Sequence, residues 1–259
     1  MNRNILRQFL VIFTFALTLV MNTAATTLPL NGMDTGKISD LFQNYFTPAG
    51  YVFSIWGVIY LGLTAFTVYH SLPAQRANPR MGRIGWLFIA SNLFNSAWIA
   101  AWHYLLFPLS WVIMLGILGT LLALFAQLGG KPASTLERWV VHVPFSIYVG
   151  WISVATIANT TVFLQDIGFN GGPLAEPVWS ALLMVIGTAI AAYIIRTRRD
   201  VAYGAVFMWA FAGIMVKYSD TPLVAYTAGV LAALILVMVV VAAFWSSGSS
   251  APRLQSRPA

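Results

Sequence analysis

The chain contains no cysteine. Disulfides, thiolate catalysis and Cys-based metal sites are therefore excluded, and the redox compartment cannot be inferred. Charge is scarce too. Asp, Glu, Lys and Arg make up 8% of 259 residues, too little polar surface to cover a soluble domain of this length. Catalytic patterns are missing: there is no P-loop, no GxSxG and no HExxH. No spaced carboxylate pair falls inside an apolar stretch, and His70, His103 and His142 are scattered without metal-ligand spacing. No internal repeat supports an inverted-repeat transporter. The expectation is a protein without metal or required cofactor, and binding rather than catalysis.

Long apolar runs are what the chain does have. Mean hydropathy is +0.78. Eight stretches, roughly residues 5–28, 51–70, 84–106, 109–128, 139–164, 177–195, 201–217 and 223–245, account for most of it. Most reach the ~20 residues a helix needs to cross about 30 Å of hydrocarbon, and 201–217 sits at the lower limit. Of fourteen basic residues, all but Lys37 and Lys217 fall in the N-terminus, every second loop or the C-tail. They are Arg3 and Arg7; Arg76, Arg80 and Arg83; Lys131 and Arg138; Arg196, Arg198 and Arg199; Arg253 and Arg257. Positive loops stay cytoplasmic, so this alternation predicts an all-α polytopic bundle of eight spans with both termini inside. The isoelectric point of 9.9 follows from the same loops. It reads as topology and contact with anionic lipid, not nucleic-acid binding.

The first stretch has a second reading as a cleaved signal peptide. Arg3 and Arg7 precede an apolar run from Phe9 to Met21, followed by the small residues Thr23-Ala24-Ala25. A retained helix is the preferred reading. Three connections are long enough to hold structure: 29–50, 71–83 and 165–176, the last with Asn170-Gly171-Gly172-Pro173. Shorter connections predict that sequence neighbours lie antiparallel against each other. The tail from Ser246 is Ser/Pro/Arg-rich and reads as disordered. Small pairs one turn apart, Ala97/Ala101, Gly187/Ala191 and Gly229/Ala233, mark candidate helix contact faces.

The ten tryptophans divide by depth. Trp86, Trp111, Trp139, Trp179 and Trp245 fall at helix ends and suit an interfacial belt. Trp56, Trp98, Trp102, Trp151 and Trp209 fall inside the spans, where a lipid-facing indole N–H has no partner. These are expected to point into the bundle. Asn92, Asn95 and Asn159, with Thr156 and Thr160, are also intramembrane. Amides there serve either as interhelical glue or as polar handles in a ligand cavity. An aromatic wall between midplane and outer leaflet, below the 29–50 loop, suits a flat apolar ligand. Lys37, His103 and Lys217 lie near the same outer level. Lys217, beside Asp220, reads as a snorkelling lysine.

Three motifs carry a resemblance. Phe46-Thr47-Pro48-Ala49-Gly50-Tyr51-Val52-Phe53 with Ile55-Trp56-Gly57-Val58-Ile59-Tyr60 resembles the loop-to-second-helix motif of the TspO/MBR family, the tryptophan-rich sensory proteins and translocator protein. Asn95-Ser96-Ala97-Trp98 resembles its third-helix Asn-x-x-Trp. Pro144-Phe145-Ser146-Ile147-Tyr148-Val149-Gly150-Trp151, with Ala155, Thr156 and Asn159, resembles its fifth-helix signature. The resemblance covers about residues 5–165 and departs in places. Phe-Thr-Pro-Ala-Gly-Tyr stands where the family has Trp-Thr-Pro-Pro-Gly-Trp, and 53–56 is one residue short.

The resemblance implies a five-helix module over 1–165 that binds a tetrapyrrole such as protoporphyrin. A three-helix extension, 166–245, and a tail, 246–259, complete the division of the chain. Carried over by motif, Trp56, Tyr60, Asn95, Trp98, Tyr148, Trp151, Ala155 and Asn159 would line the cavity, with 29–50 as its lid. The implied partners are the bilayer and a hydrophobic small molecule. A homodimer stays open, and a bacterial inner membrane is the expected location. Two other readings are kept: a transporter or scaffold with aromatics that only fill space, and photo-oxidative porphyrin degradation.

Overall fold

A computed structural model describes residues 2–28, 30–42, 44–129, 132–169 and 171–248. The expectations for Lys131, Asn170, Arg253 and Arg257, for the side chain of Trp245 and for the tail past 248 lie outside the described residues. Eight long helices carry the fold: α1 (Arg3–Thr27), α2 (Ile55–Ser71), α3 (Pro79–His103), α4 (Phe107–Gln127), α5 (Val143–Asp166), α6 (Glu176–Arg198), α7 (Val201–Lys217) and α8 (Pro222–Gly248). Among the described residues there is no strand. Seven of the helices are long and apolar enough to cross a membrane, and the 17-residue α7 is the shorter apolar one. The protein is a polytopic helical membrane bundle.

Local chemistry places the helix ends. Asn2 caps α1 by accepting from the Asn4 N–H. Asn78 caps α3, accepting from Arg80 and Met81, with Pro79 at the first helical position, where a missing N–H costs nothing. Asp200 caps α7 through the Tyr203 N–H. Pro144 sits in the first turn of α5, preceded by a π-helical turn at Arg138–His142. A proline cannot donate to the preceding turn, and the wider π turn accommodates that gap.

The first five helices close a ring in the order α1, α2, α5, α4, α3, each touching the next, with α3 back against α1. The expectation that sequence neighbours pair holds for α3 with α4 and for α4 with α5. It holds as well for α6 with α7 and for α7 with α8. Across the longer 71–83 connection α2 and α3 meet through side chains such as Phe66 and Phe88, with ring centroids 5.1 Å apart. There α1 packs against α3, held by the Arg7 side chain against Gly82 and Gly85 of α3 and by Thr18 Oγ1 donating to Asn92 O at 3.1 Å. Helices α6, α7 and α8 each touch the other two, and α7 docks on α5 and on the 3₁₀ turn Gly50–Ser54 that leads into α2.

Charge is sorted to the two ends as the loop pattern predicts. At one end Arg80 meets Glu137 at 2.6 Å, Arg83 meets Gln127 at 2.9 Å, and Arg198 donates to Phe125 O at 2.8 Å. At the other end Lys217 meets Asp40 at 2.7 Å. The lysine was expected to snorkel beside Asp220. At that edge it reaches Asp40 of the 29–50 loop, because α7 ends directly against that loop.

Glycines set two close approaches. A Cβ on Gly62 would lie 2.9 Å from Pro144 Cβ, so α2 and α5 nearly touch there. A Cβ on Gly213 would lie 2.1 Å from Val52 Cγ2, so α7 seats flush on the turn before α2. Gly213→Ala should therefore destabilise the protein by about 1–3 kcal/mol, the usual range for overpacking. Val52→Ala in the same chain should restore most of that loss. Thermal unfolding in detergent measures both.

Candidate functional site

The close approach of α2 and α5 brings two aromatic faces together. Phe53 and Trp56, with Tyr60 four residues on, lie along α2 and the turn before it. Tyr148, Trp151 and Ala155 follow helical spacing on α5. Trp56 stacks on Tyr60 with centroids 5.2 Å apart and presents its edge to Tyr148 at 6.0 Å and Trp151 at 6.2 Å. Phe53 meets Trp151 edge-on at 5.7 Å. Tyr148 and Trp151 are buried, while Trp56, Tyr60 and Ala155 are half-buried.

A second set sits on the α3 side. Trp98 stacks on Trp102 at 5.2 Å and donates its indole N–H to Asn159 Oδ1 at 3.1 Å. Asn159 Nδ2 donates to Ser110 Oγ at 3.2 Å. Asn95 donates to Tyr148 Oη at 3.2 Å and accepts from Asn22 Nδ2 at 2.8 Å. Asn95 therefore joins the α3 set to the α2–α5 set. Asn92, the other amide of α3, donates to Thr14 Oγ1 at 3.3 Å. The motif-derived residues thus gather in one region, with Asn95, Trp98 and Asn159 already bonded to other protein groups.

The sequence reading missed Asn22, Thr14, Thr18 and Ser110. A signal was present. Thr14, Thr18 and Asn22 stand four residues apart, a polar stripe on one face of a helix that otherwise reads as plain hydrocarbon. That stripe faces α3.

Two polar atoms in the aromatic wall have no partner: Trp151 Nε1 and Tyr60 Oη. Trp151 is only 3% exposed, so water does not serve its N–H. A buried donor left unmet costs about 1–3 kcal/mol. The neighbouring indoles of Trp98 and Trp102 both found acceptors, and these two groups on facing helices did not.

The 29–50 loop is strapped to three helices. On α3, Asn31 Nδ2 donates to His103 O at 3.0 Å, Thr35 Oγ1 bonds His103 Nε2 at 3.0 Å, and Trp102 Nε1 donates to Thr35 O at 3.2 Å. On α5, Asn44 donates to Thr161. On the α7 side, Tyr218 Oη donates to Asn44 O at 2.7 Å, and Ala49 N donates to Gly213 O at 3.3 Å. His103, expected as an interfacial residue, is fully buried as a clamp for this loop. Trp209, expected to point inward, is 37% exposed and spends its N–H on Val52 O at 3.1 Å.

A cleft of about 20 Å³, room for roughly one water, lies beyond the wall between Asn44, Thr161, Phe169, Glu176, Trp179 and Ser180. Among the described residues no group of three or more His, Asp or Glu side chains could hold a metal ion. The region can stack a flat apolar molecule and offer it two hydrogen-bond donors.

A family model described as TSPO-like protein matches residues 8–241. The match continues past residue 165, where the motif resemblance stops, and so takes in α6, α7 and nearly all of α8. No curated protein and no solved structure matches the chain.

The amide network makes a stability prediction. A double-mutant cycle of Asn22→Ala and Asn95→Ala should give a coupling of roughly 0.6 kcal/mol, and at most about 1.7, as for hydrogen bonds between membrane helices. Unfolding in SDS mixed with neutral detergent reads it. The 29–50 loop makes another. Asp40→Asn should speed backbone hydrogen exchange over 35–42 several-fold while leaving α3 and α4 unchanged, because it removes the Lys217 ion pair and keeps the other bonds of the loop.

Proposed function

The chain belongs to the family of TSPO-like proteins, and from that premise we propose that it binds a planar hydrophobic ligand, a tetrapyrrole, between α2 and α5. Binding is for sensing or transfer and involves no chemistry on the ligand. The observation that carries this reading is the pair of unmet donors, Trp151 Nε1 and Tyr60 Oη, inside a wall of stacked rings. A porphyrin supplies a π-face for Trp56 and Tyr148 and carboxylate or pyrrole acceptors for the two donors. Each aromatic contact contributes about 0.5–1.5 kcal/mol beyond area burial.

The wall closes on itself, so the ligand must part the Trp56–Trp151 contact to enter. The strapped 29–50 loop is the natural lid, and Asn95 holds Tyr148 in place beneath it. A space-filling role suits Trp98 better than ligand contact, since its N–H is bonded to Asn159 and its ring lies on Trp102. In this reading the arginine-rich end faces the cytoplasm and the lid faces the opposite side of a bacterial inner membrane.

Titrating protoporphyrin IX into the purified protein tests the reading. Saturable quenching of tryptophan fluorescence is expected. Trp151→Phe replaces the indole with a smaller ring and loses the N–H, and should weaken binding roughly 10- to 100-fold, matching a bond to a charged acceptor. Tyr60→Phe should act similarly, and the exposed Trp139→Phe should not. Unsaturable quenching, or equal affinity in all three variants, would remove the proposal.

A further inference from the structure

The arginine-rich end of the bundle holds a buried cation with no counter-ion. Arg7 lies inside α1, yet it is only 4% exposed. Its Nη1 donates to Asn4 Oδ1 at 3.0 Å and its Nη2 to Arg76 O at 2.8 Å. Its Nε has no partner. None of the ion pairs among the described residues involves it. The charged side chain nearest in effect is Arg3, which repels it. Glu137, the buried carboxylate at this end, is taken by Arg80.

An uncompensated buried charge is strongly unfavourable, and a bundle in lipid has no water to relieve it. The groups around Arg7 compound the problem. His70 is fully buried and uses Nε2 on Met81 O at 3.2 Å, which leaves Nδ1 unpartnered. Thr67 Oγ1 and Ser71 Oγ are unpartnered as well. Thr67, His70 and Ser71 stand at i, i+3 and i+4, so they share one face of the end of α2. Arg7 and His70 converge on Gly85 of α3: a Cβ there would lie 2.5 Å from His70 Nε2 and 3.0 Å from Arg7 Cδ. The cluster is roofed by the turn after α2, where Gln8 Nε2 donates to His70 O and Leu72 O. Exposed Arg76 crosses the roof and donates to Gln8 Oε1 at 3.2 Å.

We propose that this cluster of Arg7, Thr67, His70, Ser71 and Arg76, where α1 and α2 meet α3, is a binding site for a phosphate-class anion. Phosphate oxygens accept from the guanidinium and the two hydroxyls, and a singly protonated phosphate donates its P–OH to His70 Nδ1. Forked guanidinium donors match phosphate geometry and give charge-assisted bonds. The anion supplies the charge that Arg7 lacks. The source is either the headgroup of a phospholipid at the membrane surface or a free phosphate. The site lies at the end opposite the lid and is independent of the aromatic wall.

The test uses the full chain purified in neutral detergent. Thermal unfolding is followed with inorganic phosphate, with chloride at equal ionic strength, and with phosphatidic acid or phosphatidylcholine added as mixed micelles. A rise in Tm with phosphatidic acid but not phosphatidylcholine is expected, saturating with added lipid. A matching rise with inorganic phosphate over chloride identifies a free anion as sufficient, and its absence assigns the site to the lipid headgroup. Arg7→Gln should weaken the half-saturating concentration at least 10-fold. Arg76→Gln, at an exposed position, should weaken it about 3-fold and serves if Arg7→Gln does not fold. Arg83→Gln, which touches Gln127 instead, should leave it unchanged. Stabilisation by neither phosphate nor phosphatidic acid overturns the proposal. So does an equal loss in Arg83→Gln, which would mean general surface charge, or no loss in Arg76→Gln. Porphyrin binding should survive every one of these substitutions, so failure here and failure of the tetrapyrrole reading are told apart.

Discussion

Water is absent from the hydrocarbon layer, and that one condition shapes everything inside this bundle. Backbone groups must pair within helices, and side-chain donors and acceptors must pair between them. Some interior hydroxyls, such as Ser91 and Thr188, turn back on a carbonyl of their own helix, but the amides find partners on other helices: Asn22 for Asn95, Asn95 for Tyr148, Trp98 for Asn159, Asn159 for Ser110, Thr14 for Asn92. These bonds tie α1, α3, α4 and α5 into one register. Contacts among apolar side chains could not do so alone, since lipid tails are as apolar as leucine.

The same condition gives meaning to the exceptions. Unmet buried polar atoms gather in two places, in the aromatic wall between α2 and α5 and at the arginine-rich end where α1 and α2 meet α3. Both are interfaces of the five-helix ring, at different depths. A sealed interior with two sets of spare donors suits a protein that holds one ligand in its core and one at its surface. Helices α6–α8 bear on the first of these places. Through Gly213, Trp209, Lys217 and Tyr218, the α7 end of that set grips the 29–50 loop and the turn that leads from it into α2. Neither α7 nor this loop can shift without breaking bonds to the other.

Much was legible from the chain by itself. Hydrocarbon thickness imposes a length on each apolar run, so the helices fall where those runs do, down to the 17 residues of α7. The cost of charge in lipid drives Arg and Lys out of the spans, and most of them to one end, which the Arg80–Glu137 and Arg83–Gln127 contacts display. The motifs around Trp56, Asn95 and Trp151 named residues that do meet in space. These features depend on one helix at a time, or on a pattern shared with a family.

Which helices touch, and which donors are left over, only the tertiary structure decided. Helical periodicity says that Thr14, Thr18 and Asn22 share a face but not that the face meets α3. Nothing local in Lys217 tells that its partner is Asp40 rather than Asp220, since the partner lies far along the chain. Trp98 and Trp151 look alike in sequence; one is satisfied by Asn159 and the other is not. Hydrogen bonding is short-ranged and directional, so it depends on three-dimensional placement to within a fraction of an ångström. Length and polarity are properties of the chain. Satisfaction of a polar group is a property of the packed bundle.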